Sequence, residues 1–299
     1  MRREHKAGER FLSRTLLFIW VAIGLALSCG PKAYALTYSR EDSLKVVELL
    51  SEGCAQPRGT NLMLYFGHRL DNVPYVPSTL EVNEEEELVV NLRELDCTTF
   101  VETVVALVLS VRSENPSWKT YCDYLERIRY SKGKNKGYTS RNHYFSQWIK
   151  SNESLGFVAE QVCDCASRKQ HLDLHYMSKH PSSYAMLNGR KDRIREIGAA
   201  ERMLSGKVVR YIPCESLGKK KGQLKCVQDG DILAIVTKKD GLDVCHLGLA
   251  EWAKDGKLHL LNASSIHKKV VLESMTLQHY MQQHPSQLGV RVVRVLPLE

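Results

Sequence analysis

The sequence predicts an α+β fold, with a helical N-terminal half packed on a C-terminal antiparallel sheet. Three observations predict it. Up to about residue 204 the apolar residues recur mostly at helical spacing, and from Lys207 onward they fall into short β-rich runs separated by turns. Helices first and strands second is the pattern of an antiparallel sheet with helices on it, not of alternating βαβ units. Between the ends lies Leu95-Asp96-Cys97-Thr98-Thr99, followed by a nearly unbroken apolar run to Val111. That run is longer than a typical strand, so it reads as a buried helix with Cys97 at its mouth. Thr99-x-x-Glu102 fits a capping box, and Asp96 is the alternative cap. Either choice places Cys97 beside free backbone N–H groups and the positive end of the helix dipole, which favour a thiolate.

The elements follow in order. Residues 39–51 predict a helix capped by Ser39 or Asp42, with Leu44, Val47 and Leu50 as its inner stripe, and Leu62 to Phe66 continues the helical structure. Pro74 and Pro77 force an extended segment that presents Tyr75. Glu84 to Glu87 reads as a solvated turn. Trp118, Tyr121, Leu125 and Ile128 mark an amphipathic helix, and Phe145, Trp148 and Ile149 anchor a short one. The long loop between these two helices carries Tyr138, Arg141, His143 and Tyr144, a composition suited to binding. Residues 191–204 predict a charged helix with Ile194, Ile197, Ala200 and Leu204 inward. Strands are expected at 208–212, 232–237, 244–250, 258–261, 270–272 and 290–296, with one short helix at 277–281.

The N-terminus reads as an address. Arg2, Arg3, Lys6, Arg10 and Arg14 precede an apolar stretch from Leu16 to Leu27 and a small-x-small site at Ala33-Tyr34-Ala35. This pattern predicts a signal peptide over 1–35 and an exported protein whose single domain spans 36–299. Cys29 is the alternative, as a lipidated cysteine; bulky Leu27 fits that role poorly. The formal charge of +8 falls to +4 once the six Lys/Arg and two Glu of residues 1–35 are removed. So mild an excess argues against a nucleic-acid partner and suits an anionic wall polymer.

Nine cysteines occur. Export permits disulfides, and Cys214 and Cys226, flanking the Lys219-Lys220-Lys221 loop tip, are the expected pair, whereas a nucleophilic Cys97 must stay free. Cys163, Cys165, His171 and His175 form a candidate zinc set, although Cys-x-Cys is an unusual spacing for that metal. No glycine-rich phosphate loop occurs, and no cofactor is implied.

A cysteine nucleophile needs a base held by a third group. His246, inside Val244-Cys245-His246-Leu247-Gly248, is the leading base, and Gly248 leaves room on the same face. Asn262, after the apolar run of the next strand, is placed to accept the His246 ring N–H, with His259 as its competitor. The structural alternative for each is a packing cysteine, a hydrogen-bonded strand histidine and a buried amide.

Asp96-Cys97-Thr98, Gly230-Asp231, His246-Leu247-Gly248 and Asn262-Ala263-Ser264 together resemble the NlpC/p60 superfamily of papain-like cell-wall hydrolases, with Pro74-Tyr75-Val76 matching its loop tyrosine. Val76-x-x-Thr79-Leu80-Glu81, Leu95 to Glu102, Ser140 to Tyr144 and Met177 to Pro181 are similar to a branch of N-acetylmuramoyl-L-alanine amidases. The third position is often histidine in the superfamily and is asparagine here. The resemblance implies a papain-like fold and a Cys97–His246–Asn262 triad. It further implies substrate contacts from Tyr75, Thr79, Glu81, Asp96, Thr98, Arg141, His143 and Tyr144. It implies peptidoglycan or muropeptide substrates in the periplasm or cell envelope, with no stable membrane insertion after signal removal. A γ-D-glutamyl stem-peptide endopeptidase and a non-catalytic wall-binding module are the alternatives.

Overall fold

Ten strands and eight α-helices are assigned among residues 35–163 and 167–298, which a computed structural model describes. The expected signal peptide, Cys29 and Cys165 lie outside the described residues. Helices α1 (Arg40–Cys54), α2 (Leu62–Arg69), α3 (Cys97–Arg112), α4 (Trp118–Arg129) and α5 (Phe145–Ser154) make up most of the first half. α6 (Tyr176–Lys179) and α7 (Lys191–Leu204) follow, and α8 (Leu277–Gln282) lies among the later strands. β1 (Leu36–Thr37) and β2 (Leu88–Val89) form a small parallel pair. The main sheet has eight strands: β3 (Val158–Gln161), β4 (Arg168–His171), β5 (Val208–Pro213), β6 (Ile232–Thr237), β7 (Val244–Trp252), β8 (Leu258–Ser264), β9 (Lys269–Leu272) and β10 (Gln287–Val295). Its order is β4-β5-β10-β6-β7-β8-β9, with β3 also pairing on β10, and all of these pairings are antiparallel.

α3 is the axis. Every residue from Thr99 to Ser110 is buried, and α1, α2, α4, β7 and β8 all pack on it. A helix enclosed on all sides needs no polar face, which is why its sequence shows an apolar run rather than a stripe. Leu247, Leu249, Leu261 and Ala263 meet it from the sheet. The alternate positions Leu233, Ile235, Ala250 and Leu260 face a second core closed by Leu277, Tyr280 and Met281. Both faces of β6 are therefore covered, and all six of its residues are buried.

Three expectations change, and the open choice of cap for α3 is settled. The buried face of α1 is Asp42, Val46, Leu49, Leu50 and Gly53, while Leu44 and Val47 point to solvent. Asp42 lies inside because its carboxylate accepts hydrogen bonds from the Leu92 and Ser39 N–H groups and from Arg93. Asp96, not Thr99, caps α3: its carboxylate accepts from the Thr98 and Thr99 N–H groups at 3.0 and 2.8 Å. Glu102 instead pairs with buried Arg129 at 2.7 Å. Within the acidic run, Glu86 is buried against Arg141 and the Tyr130 hydroxyl. The disulfide joins Cys163 to Cys226, and Cys214 is free. That bond removes one thiolate from the expected zinc set. His175 is held by Asp240 and Asp173, and no metal-competent cluster occurs among the described residues.

The Glu102–Arg129 pair sits under the nucleophile's helix and generates a stability prediction. Glu102→Ala strands a buried guanidinium and should cost about 3–5 kcal/mol. Urea denaturation checks this, and a loss below about 1 kcal/mol would mean that the pair behaves as a surface one.

Candidate active site

Cys97 is the first residue of α3, held there by the Asp96 cap. The Tyr75 loop is sewn in beside it. Leu95 N–H donates to the Pro74 carbonyl, Val76 N–H to that of Leu95, and Tyr75 N–H to that of Lys268. Opposite, β7 pairs with β6 through Ile235–His246 and Val236–Val244, so Cys245 is the extra residue of a β-bulge. Bulges re-aim the neighbouring side chain, and here the neighbour is His246. A cleft of about 120 Å³ is lined by Cys97, Thr98, Asn142, His143, Tyr144, Phe145, Trp148, Leu242, Asp243, Val244, Cys245, His246 and Leu247.

Behind the cleft, His246 Nε2 lies 2.8 Å from Asn262 Oδ1. The Asn262 amide nitrogen donates to the Leu260 and Val271 carbonyls and to Glu273 Oε1. With its NH₂ so engaged, the amide turns its oxygen to the histidine, and Nε2 must carry the proton. Nδ1 is then the unprotonated ring nitrogen. Asn262 and not His259 lies against the His246 ring, and His259 Nδ1 is instead 2.9 Å from the Glu273 carbonyl oxygen. Gly248 is required for close approach: a Cβ there would come within 2.8 Å of the Leu261 carbonyl oxygen.

The electrostatics disfavour charge on either partner. Burial, with the Asp96 carboxylate adding to it, pushes the Cys97 thiol up to about 12, only partly offset by a hydrogen bond to the Leu247 backbone. Burial lowers His246, and the Asn262 hydrogen bond opposes it. Desolvation at this helix mouth thus works against the expected thiolate and opposes the favourable end of the dipole. Tyr75 is raised by burial and by its nearness to Cys97 and Asp96, so its hydroxyl is a neutral donor.

The remaining predicted residues separate into two groups. Thr98, His143 and Tyr144 line the cleft with Cys97 and His246. His143 is held neutral by burial and by the Arg141 charge, its pKa pushed down to about 3, with Nε2 2.8 Å from the Tyr138 carbonyl oxygen. The Tyr144 hydroxyl donates to Glu201 at 2.6 Å, which leaves only its ring to the cleft. Arg141 is committed to Glu86 at 2.5–3.0 Å and lies 3.7 Å from Glu81. Thr79 is buried in the same region of the chain. Arg141, Thr79 and Glu81 are absent from the cleft lining, and Glu81 and Arg141 support the loop that presents His143. Reading the sequence missed Asp243, whose two carboxylate oxygens accept from the Ser146 and Val244 N–H groups at the cleft wall. A polar residue just ahead of a strand was its only signal. It also missed Glu273, which ends the Val270-Val271-Leu272 run as a lone carboxylate.

A family model described as N-acetylmuramoyl-L-alanine amidase-like matches residues 65–290. The chain belongs to the AmiA-like family. Its relatives of known structure agree in architecture. An N-acetylmuramoyl-L-alanine amidase from Bacteroides uniformis is 40% identical, covering 80% of this chain and 99% of that one, with a TM-score of 0.75. A protein from Bacteroides fragilis named a putative xylanase is 39% identical, covering 78% and 100%, with a TM-score of 0.73. A Legionella pneumophila protein shares the fold at 20% identity, covering 86% and 95%, with a TM-score of 0.67. No curated protein matches.

For this AmiA-like chain the lowered His246 sets a sign. If His246 acts as a general base it does so when neutral, so the acid limb of kcat/KM should fall below the ordinary imidazole value of 6.5, with activity lost only as pH drops through it. His246→Ala should slow iodoacetamide labelling of Cys97 at pH 7 at least about tenfold, because a thiol held near 12 then has no base. Peptide mapping reads the site, and an unchanged rate would separate the two residues chemically.

Proposed function

We propose that the protein hydrolyses the amide between N-acetylmuramic acid and L-alanine in peptidoglycan fragments, using Cys97, His246 and Asn262 through a thioester. The observation that carries this is the 2.8 Å His246–Asn262 hydrogen bond at the wall of the one cleft that Cys97 shares. The reaction is assigned by residue roles. His246 Nδ1 takes the Cys97 proton as sulfur attacks the lactyl carbonyl, so thiol ionisation and bond formation proceed together from a neutral pair. Asp96 already occupies the Thr98 and Thr99 N–H groups. The Cys97 N–H is therefore the first-turn donor for the oxyanion, with the neutral Tyr75 hydroxyl as the side-chain donor beside it. The tetrahedral intermediate expels the L-alanine amine, which leaves with the proton from His246. Water, deprotonated by the same nitrogen, then cleaves the thioester, releasing the lactyl carboxylate and restoring the thiol.

The cleft chemistry favours amide over glycoside cleavage. A glycosidase needs two carboxyl groups flanking the scissile bond. Among the described residues Asp243 is the only carboxylate lining this cleft, and both its oxygens accept backbone hydrogen bonds. His143, Tyr144 and Thr98 are the substrate contacts. The order of Asp96-Cys97-Thr98, His246-x-Gly248 and Asn262 supports membership of the NlpC/p60 superfamily, with a papain-like site. Export to the periplasm or cell envelope rests on the N-terminal sequence and on a Cys163–Cys226 disulfide, a bond that persists in oxidising compartments. Among the described residues no helix is long and apolar enough to cross a membrane.

Digestion of purified muropeptides tests the reading. Mass spectrometry should find a sugar with a free lactyl carboxylate and an intact stem peptide, and Cys97→Ala should abolish both. A released dipeptide would make the enzyme a γ-D-glutamyl endopeptidase. Binding without turnover would make it a wall-binding module, and full activity in Cys97→Ala would remove the mechanism.

A further inference from the structure

Beyond the triad, a buried carboxylate continues the same line of hydrogen bonds. Asn262 lies opposite Val271 in the β8–β9 pairing. Side chains two apart on an extended chain share a face, so Glu273 projects on the side where Asn262 lies. It is 1% exposed. Its Oε1 accepts from Asn262 Nδ2 at 3.2 Å and its Oε2 is 3.0 Å from His267 Nε2. Its backbone N–H donates to the Leu260 carbonyl, and its own carbonyl oxygen holds His259. The hydrogen-bonded chain His246, Asn262, Glu273, His267 thus runs from the cleft that His246 lines with Cys97 to a half-exposed imidazole.

We infer that Glu273 is a positioning residue of the catalytic machinery: it fixes the Asn262 amide with its oxygen toward His246 and places a negative charge behind the imidazolium that forms during attack. The inference rests on the proposed Cys97–His246–Asn262 mechanism. An asparagine amide is symmetric in shape but not in hydrogen bonding. With its NH₂ turned to His246, it would face the protonated Nε2 donor to donor, and the ring would shift its proton to Nδ1. That tautomer is no base for Cys97. Two backbone carbonyls resist the flip, and the carboxylate adds the only charge that does. Where the third catalytic group is a neutral amide, Glu273 restores a negative charge one residue further back. Its field raises His246, together with that of Asp96, while His284 opposes them.

Two readouts test it, one of them independent of substrate. Glu273→Gln keeps the shape and one acceptor but removes the charge. The acid limb of peptide-mapped iodoacetamide labelling at Cys97 should move to lower pH, and labelling at pH 7 should slow. On muropeptides kcat should drop about 10- to 100-fold at unchanged KM, part of the ~100- to 10,000-fold that a general base supplies. Glu273→Asp, which keeps the charge, should hold the limb at the wild-type position, and it serves also if the Gln variant does not fold. A limb that stays in place in Glu273→Gln, or moves as far in Glu273→Asp, overturns the inference. If wild-type protein does not cleave muropeptides, the substrate reading fails while the labelling arm still decides the role of Glu273.

Discussion

An amide oxygen 2.8 Å from an imidazole nitrogen decides what this site can do. It assigns the proton of His246 to Nε2 and leaves Nδ1 unprotonated, as the proposed mechanism requires of its base. Everything else in the centre is arranged around that assignment. The β-bulge at Cys245 aims the ring, and Gly248 lets β8 come close enough to deliver Asn262. The three acceptors around the Asn262 NH₂ stop the amide from turning. Cys97 arrives separately, on the tip of a helix whose body from Thr99 to Ser110 is buried. Burial and Asp96 both raise its thiol, so the proposed mechanism needs this rigid placement to bring it to a correctly protonated base.

The surrounding ion pairs serve geometry rather than binding. Arg129 is tied to Glu102 and to the Val89 carbonyl, which locks α4 to α3 and to β2. Arg141 is tied to Glu86 and sets the loop from which His143 and Tyr144 enter the cleft wall. An arginine buried with its carboxylate is committed, since separating the pair would strand both charges. Burial and the same charge keep His143 neutral, which leaves His246 as the cleft histidine that the proposed mechanism uses as its base.

Much of this was legible in the sequence, for identifiable reasons. α7 and β6 have the bounds that their patterns predict, because helix periodicity and a dense β-branched run are local signals. Cys97, His246 and Asn262 were legible as polar residues interrupting apolar elements. The strands Val158–Gln161 and Arg168–His171 were not, since neither alternates; they exist because β10 and β5 offer edges to pair with. The inner face of α1 was misread because Asp42, a charged residue, is as buried as Val46 and Leu49, satisfied by Ser39 and by partners some fifty residues away. Glu86 hid in an acidic run for the same reason. The Cys163–Cys226 bond spans 63 residues and carries no local mark. Long-range satisfaction of charge and sulfur is what one-dimensional patterns omit.

The central claim is that Cys97 becomes acylated by the lactyl group of the sugar. Acid-quenched intact-protein mass spectrometry during muropeptide turnover tests it directly. The account predicts a transient adduct with the mass of the muramoyl acyl group, mapping to the Cys97 peptide and absent from Cys97→Ala. An adduct carrying peptide instead of sugar, one mapping to another residue, or turnover with no adduct at Cys97 under conditions that trap other cysteine acyl-enzymes would contradict it.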